Sequence, residues 1–201
     1  MPREETFEGI KGLKIFLRSW QPSLPPPAVM HLRARPSTGL AGLICESFAF
    51  KVPAPNFALA IIKGLSAIAP RLPVLKLKNK DFSRDPKAVA ALDNDPLTHK
   101  EIQPAITVAA LVRADERLKR EFPRIKIPVL ILHGTADKAT IPAGSQFFYD
   151  TVGSKDKTLK LYEGHFHDLL NDIDKEKVLD DIKSWIAARL PITAARAAAT
   201  A

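Results

Sequence analysis

Two short segments place residues capable of acid–base chemistry just after predicted strands. Val129 to Leu132 is a continuous apolar run, and Asp137 follows it after a glycine turn. Leu159 to Tyr162 is predicted to be another short strand, and His167 lies in the histidine-rich turn that follows it. In open α/β sheets, catalytic groups gather at the carboxyl ends of the strands, and a carboxylate can orient an imidazole as a general base. We therefore predict that Asp137 and His167 form an acid–base pair.

The same residues also allow other interpretations. An aspartate after a strand often forms a turn or caps a helix. A surface loop with incidental histidines is equally compatible with the second segment. His165, His167 and Asp137 could be imagined as metal ligands, but a His-x-His loop has no defined third ligand here. We predict no metal and no cofactor.

Apolar patterns predict the elements that position these residues. Early strands are expected at Leu13 to Trp20 and Leu40 to Cys45. Helical spacing or position between strands predicts helices over residues 56–69, 102–122, 143–151 and 175–190. The order of elements indicates an α/β fold with a mostly parallel sheet and flanking helices.

Composition excludes several classes of protein. The chain has 201 residues, 46% of them hydrophobic and 26% charged, which suits one folded domain. Cys45 is the only cysteine, so neither an intrachain disulfide nor a cysteine zinc site can form, and its apolar neighbours predict a buried thiol. The formal charge of +8 is scattered among acidic residues, so we predict no nucleic-acid partner. We find no signal-peptide pattern and expect a cytoplasmic protein.

Five segments carry a resemblance to a known family. They are Gly12 to Pro22, Leu40 to Val52, Asn94 to Leu97, Pro128 to Asp137 and Glu163 to Leu170. Together they resemble monoacylglycerol lipases and lysophospholipase-like enzymes of the α/β-hydrolase superfamily. The resemblance covers about residues 8 to 190.

The resemblance implies a fold, a substrate class and residue roles. Asp137 would be the triad acid and His167 the general base, acting on a small acyl ester such as a monoacylglycerol or a lysophospholipid. One domain would span residues 1–190, with residues 53–126 inserted as a helical lid. Composition, not the resemblance, predicts a disordered tail over residues 191–201, because this Ala/Thr-rich segment has nothing to bury. Peripheral contact with a membrane and the oligomeric state are left open.

The sequence departs from the family pattern at the nucleophile. It contains no G-x-S-x-G elbow, and Gly64-Leu65-Ser66 lacks the second glycine. The dozen residues from Ala28 to Leu40 are too few for the oxyanion turn and the strands expected there, because each βα unit takes about 30 residues. We therefore expect a truncated α/β-hydrolase fold with impaired serine-hydrolase catalysis. The alternative is a non-catalytic remnant that binds lipid or protein.

Overall fold

The computed structural model describes residues 3–8, 14–19, 42–50, 54–96 and 102–189, the first two ranges by their backbone alone. The connection expected to lack the elbow, between Ala28 and Leu40, and the tail predicted over residues 191–201 lie outside these ranges. The strands are β1 (Arg3–Glu8), β2 (Lys14–Ser19), β3 (Leu43–Glu46), β4 (Pro73–Lys76), β5 (Ile102–Pro104), β6 (Val129–Gly134) and β7 (Lys157–Tyr162). The helices are α1 (Asn56–Ile68), α2 (Pro86–Asn94), α3 (Ala105–Glu121), α4 (Pro142–Thr151) and α5 (Lys175–Ala187).

The central sheet is parallel and has the order β3-β6-β7 among the described strands. Leu43 pairs with Val129, which in turn pairs with Lys157. The connection from β6 to β7 runs through α4, as the parallel pairing requires. The predicted α/β fold with a mostly parallel sheet and flanking helices is confirmed.

Successive residues of β6 pack on opposite faces of the sheet, because side chains alternate along a strand. Val129 and Ile131 belong to one core, which also contains Phe50, Phe122, Phe148 and other residues near α3 and α4. Leu130 and Leu132 belong to the second core, under α5, with Val178 and Trp185. All six residues of β6 are buried. This strand therefore forms a rigid base for the loop that follows it.

A mainly helical segment lies between β3 and β6 along the chain. We call its described residues, 54–96 and 102–126, the helical insert. α1 packs against α3, and β4 pairs with β5 in a small antiparallel sheet. The helix predicted from residue 102 is wrong in its first turn: Ile102–Pro104 is a strand, and α3 begins at Ala105. The insert also contains α2, which was not predicted.

The insert leaves large apolar side chains exposed to solvent. On α1, Phe57 is 71% exposed, Ile61 57% and Ile68 86%. Across the described ranges, no helix combines the length and apolar character that crossing a membrane requires.

Candidate active site

Asp137 lies in the loop after β6, and its carboxylate accepts five hydrogen bonds. The backbone N–H groups of Ala139 and Thr140 donate to Oδ1 over 2.7 and 3.0 Å. The Thr140 hydroxyl and the ring nitrogens of His133 and His167 lie 2.8 to 3.0 Å from Oδ2. The side chain has no solvent exposure. Asp137 therefore closes the turn through one oxygen and holds two imidazoles through the other.

His167 lies in the loop after β7 and contacts Asp137 as the strand order predicts. Its Nδ1 is 2.8 Å from Asp137 Oδ2, so Nδ1–H donates to the carboxylate and Nε2 is left without a proton. The Phe82 ring packs edge-on against the imidazole, with 5.0 Å between the ring centroids. The His167 side chain retains 22% of its exposure. Nε2 belongs to a ring that solvent or a ligand can reach.

His133 is a member of the site that the sequence analysis did not assign. It is the fifth residue of β6, is fully buried, and precedes Asp137 by four residues. Its Nε2 is 3.0 Å from Asp137 Oδ2, and its Nδ1 is 2.7 Å from Ser145 Oγ on α4. The hydroxyl donating to Nδ1 leaves the ring proton on Nε2, where it faces the carboxylate. His133 therefore links the Asp137 carboxylate to α4.

The hydrogen bonds determine the charge of Asp137. Burial raises the pKa of its carboxyl, but the hydrogen bonds from His133, His167 and the Thr140 backbone outweigh burial. The pKa consequently lies well below its usual range. Asp137 is a carboxylate at neutral pH, as a residue that orients an imidazole must be.

A second buried carboxylate joins the loop of His167 to the helical insert. Asp172 accepts the Phe166 N–H through Oδ2 over 2.9 Å and the Arg84 N–H through Oδ1 over 2.6 Å. The Arg84 side chain forms an ion pair with Oδ2 at 2.9 Å. The backbone N–H of Asp168 also donates to the Phe82 carbonyl over 2.8 Å. The insert is therefore bound directly to the loop that carries His167.

The other residues weighed from the sequence lie elsewhere. His165 is buried, and its Nδ1 is 3.7 Å from Asp172 Oδ2 rather than close to Asp137. Ser66 lies inside α1, and its hydroxyl donates to the Lys63 carbonyl over 2.7 Å. Among the residues that the structure describes, no group of three or more His, Cys, Asp or Glu residues is arranged to hold a metal ion.

A comparison of the sequence with known families matches residues 28–174 to the family described as serine aminopeptidase, S33. The chain belongs to this family. This match, together with the similarity to a curated monoacylglycerol lipase and to a solved lipase structure, confirms the predicted resemblance to α/β-hydrolases of the monoacylglycerol lipase type.

Two curated relatives and one solved structure illustrate the likeness. The monoacylglycerol lipase of Mycolicibacterium smegmatis is 36% identical over 132 residues, which are 66% of this chain and 47% of that protein. The caffeoylshikimate esterase of Arabidopsis thaliana is 31% identical over 168 residues, 79% of this chain and 50% of that protein. The crystal structure of the Paleococcus ferrophilus monoacylglycerol lipase superposes with a TM-score of 0.69 at 33% identity, covering 76% of this chain and 60% of that one. The S33-family chain thus spans about half the length of the curated relatives it matches.

Proposed function

We propose that this chain carries the acid–base half of a carboxylic-ester hydrolase whose substrate is a small lipid ester of the monoacylglycerol class. The observation that carries the proposal is the 2.8 Å contact between His167 Nδ1 and Asp137 Oδ2. The names of the relatives support the substrate class, since one is a monoacylglycerol lipase and another an esterase.

In the proposed chemistry, Asp137 orients His167 and His167 moves the proton. The carboxylate holds the proton of the ring on Nδ1, so the lone pair of Nε2 can accept a proton from an attacking hydroxyl. As the oxygen of that hydroxyl bonds to the ester carbonyl carbon, the imidazole becomes an imidazolium beside a buried carboxylate. The imidazolium then gives the proton to the departing alcohol.

We further propose that this chain by itself forms no acyl-enzyme. The sequence has no G-x-S-x-G elbow. Ser66 donates its hydroxyl within its own helix, and Ser47 donates its hydroxyl to the backbone carbonyl of His167. Neither hydroxyl is engaged with a ring nitrogen of His167, which is the contact that activates a serine nucleophile.

A fluorophosphonate probe tests the proposal about the nucleophile, because it labels activated serines. We expect no labelling of this chain under conditions that label the Paleococcus ferrophilus lipase stoichiometrically. Hydrolysis of a short-chain p-nitrophenyl ester should likewise be the same for the parent and for His167→Asn. Stoichiometric labelling that disappears in Ser66→Ala or Ser47→Ala would contradict the proposal.

The helical insert is proposed to act as a lid, continuous with the single domain proposed for residues 1–190. Two observations support this: Phe82 packs on the His167 ring, and Arg84 binds Asp172 in the same loop. Lining of an acyl pocket by apolar residues does not depend on the nucleophile. The chain should therefore bind a monoacylglycerol even without turnover.

The second candidate function, a non-catalytic lipid- or protein-binding remnant, is favoured by the exposed apolar side chains of α1. Calorimetry with a monoacylglycerol tests binding in the parent and in Phe57→Ser. Arg71→Ser serves as the control, since Arg71 is also exposed and within the insert but is not apolar. Heat of binding that is lost only in Phe57→Ser favours the lipid-binding candidate. Absence of heat and of a thermal shift at high micromolar ligand would contradict an acyl pocket.

A further inference from the structure

Ser47, the residue that follows β3, has an unusual backbone conformation. Its φ of 42° lies in the left-handed region, which residues other than glycine seldom adopt. Its side chain belongs to the buried polar set, since Ser47 is 5% exposed. Strained conformations of this kind persist where the surroundings fix them, and they cluster at functional sites.

Ser47 makes polar contacts with three segments that meet at the site. Its N–H donates to the Leu132 carbonyl of β6 over 2.8 Å, which continues the β3–β6 hydrogen bonding one residue beyond Glu46. Its carbonyl oxygen lies 3.3 Å from Thr140 Oγ1, in the Asp137 loop itself. Its hydroxyl donates to the backbone carbonyl of His167. One residue thus touches the loop of the acid and the loop of the base.

The preceding residue, Glu46, holds the same region. Burial raises the pKa of its carboxyl and Asp168 adds to this, while hydrogen bonds from the backbone N–H groups of Leu169 and Leu170 lower it. Oε1 is buried and has no hydrogen-bond partner among the described residues. Two adjacent residues at the end of β3 therefore bind the base loop: Ser47 binds the His167 carbonyl, and Glu46 binds the backbone of Leu169 and Leu170.

We infer that Ser47 is a positioning residue, which holds the loops of Asp137 and His167 in register so that the carboxylate and Nδ1 stay in contact. The inference rests on the proposed roles of these two residues. The left-handed backbone directs the hydroxyl toward the base loop while the carbonyl faces Thr140. Because the hydroxyl acts on a backbone carbonyl, Ser47 works through His167 and not on a substrate.

The test uses the hydrogen-bonded Nδ1 proton of His167, followed by NMR in the full chain. Ser47→Ala removes the hydroxyl, and Ser47→Gly removes it while relieving the left-handed strain, so the second variant keeps the fold. Both should raise the rate at which the Nδ1 proton exchanges with water by roughly two- to tenfold, the range expected for the loss of one hydrogen bond. Ser154→Ala is the matched control, because Ser154 is also 5% exposed and donates to the carbonyl of Asp156, outside the site.

The outcomes separate this inference from the proposed function. Faster exchange in both Ser47 variants, with the parent rate in Ser154→Ala, supports a positioning role. An exchange rate in Ser47→Gly equal to that of the parent overturns it. Fluorophosphonate labelling at Ser47 also overturns it, because Ser47 would then be the nucleophile. If the parent itself shows no hydrogen-bonded Nδ1 proton on His167, the proposed acid–base pair fails instead.

Discussion

Replacement of Asp137 by asparagine keeps the shape of the side chain and removes its charge. Both carboxylate oxygens accept at least two N–H donors: Ala139 and Thr140 at Oδ1, and His133 and His167 at Oδ2. An asparagine has only one oxygen, so either orientation of the amide turns its NH₂ group toward two buried donors. Each buried donor that loses its acceptor costs about 1–3 kcal/mol, so we expect Asp137→Asn to lower the free energy of unfolding by about 3 kcal/mol at pH 7.

The loss should depend on pH with a defined sign. The pKa of Asp137 is lowered in the folded protein, so its carboxylate stabilises the fold above the unfolded-state pKa of about 3.9, and this contribution is lost as pH falls toward the folded-state value. At pH 3 this residue is already mostly protonated in the unfolded chain, which lowers the parent's free energy of unfolding by about 1 kcal/mol relative to that of Asp137→Asn. The difference between parent and variant should therefore be smaller at pH 3 than at pH 7.

Urea unfolding followed by circular dichroism measures both quantities. Asp150→Asn is the control, because Asp150 is exposed on α4 and its carboxylate accepts a hydrogen bond from Gln146 over 2.9 Å. The control should change the free energy of unfolding by less than about 0.5 kcal/mol at either pH. A loss below about 1 kcal/mol for Asp137→Asn at pH 7, or an equal loss at both pH values, would refute the hydrogen-bond account of this site.

Three further predictions concern the packing and charges around the site. A Cβ added at Gly134 would collide with the carbonyl oxygens of His165 and Phe166, so Gly134→Ala should lower the free energy of unfolding, measured in urea, by about 2 kcal/mol. Gly64→Ala is the control: its Cβ would meet open space on α1, so the free energy of unfolding should rise by about 0.5–1 kcal/mol. Burial raises the pKa of Asp115 to about 7; the charge of Lys119 opposes this rise and that of Glu116 adds to it. Because the carboxylate is disfavoured in the folded state, the folded protein loses stability as pH rises from about 4 through 7. Asp115→Asn should therefore stabilise the protein by about 1 kcal/mol at pH 8, after allowance for the half-exposed position, and not at pH 4; equal effects at both would contradict this. Burial raises the pKa of Cys45 to about 12, so the thiol should resist Ellman's reagent in the native protein and react in guanidinium chloride; rapid native labelling would show that the first core is open.

The parts of the fold that the sequence predicts are those with dense apolar patterns. The run of β6 and the apolar stripe of α5 are recognisable because they are buried against other elements. The shorter pattern of β7 is also recognisable, although Tyr162 alone among its residues is buried. β1 escapes prediction because REETFE carries four charges, and β2 is its one partner among the described strands. β4 and β5 pair with each other although Ile102 lies 29 positions after Pro73 in the sequence, and each strand has a proline at one end. No local sequence pattern reveals such a pairing.

The candidate site shows the same division. Asp137 and His167 follow the neighbouring parallel strands β6 and β7, so the carboxyl-end rule for parallel sheets brings them together. Asp137 also forms a turn, as the alternative interpretation predicts, because Oδ1 accepts the N–H groups of Ala139 and Thr140. His133 was missed because it ends an apolar run. Ser47 was missed because its left-handed φ has no sequence signal comparable to a glycine.

The central claim is that Asp137 and His167 form an oriented acid–base pair, and the nitrogen-15 NMR spectrum of the histidine rings tests it most directly. For the neutral His167 ring we predict a proton on Nδ1 and a bare Nε2, with the signal of the Nδ1 proton shifted by its hydrogen bond to the carboxylate and clearly changed in Asp137→Asn. A neutral His167 ring with its proton on Nε2, or a spectrum unchanged by Asp137→Asn, would contradict the pair and the roles proposed for it.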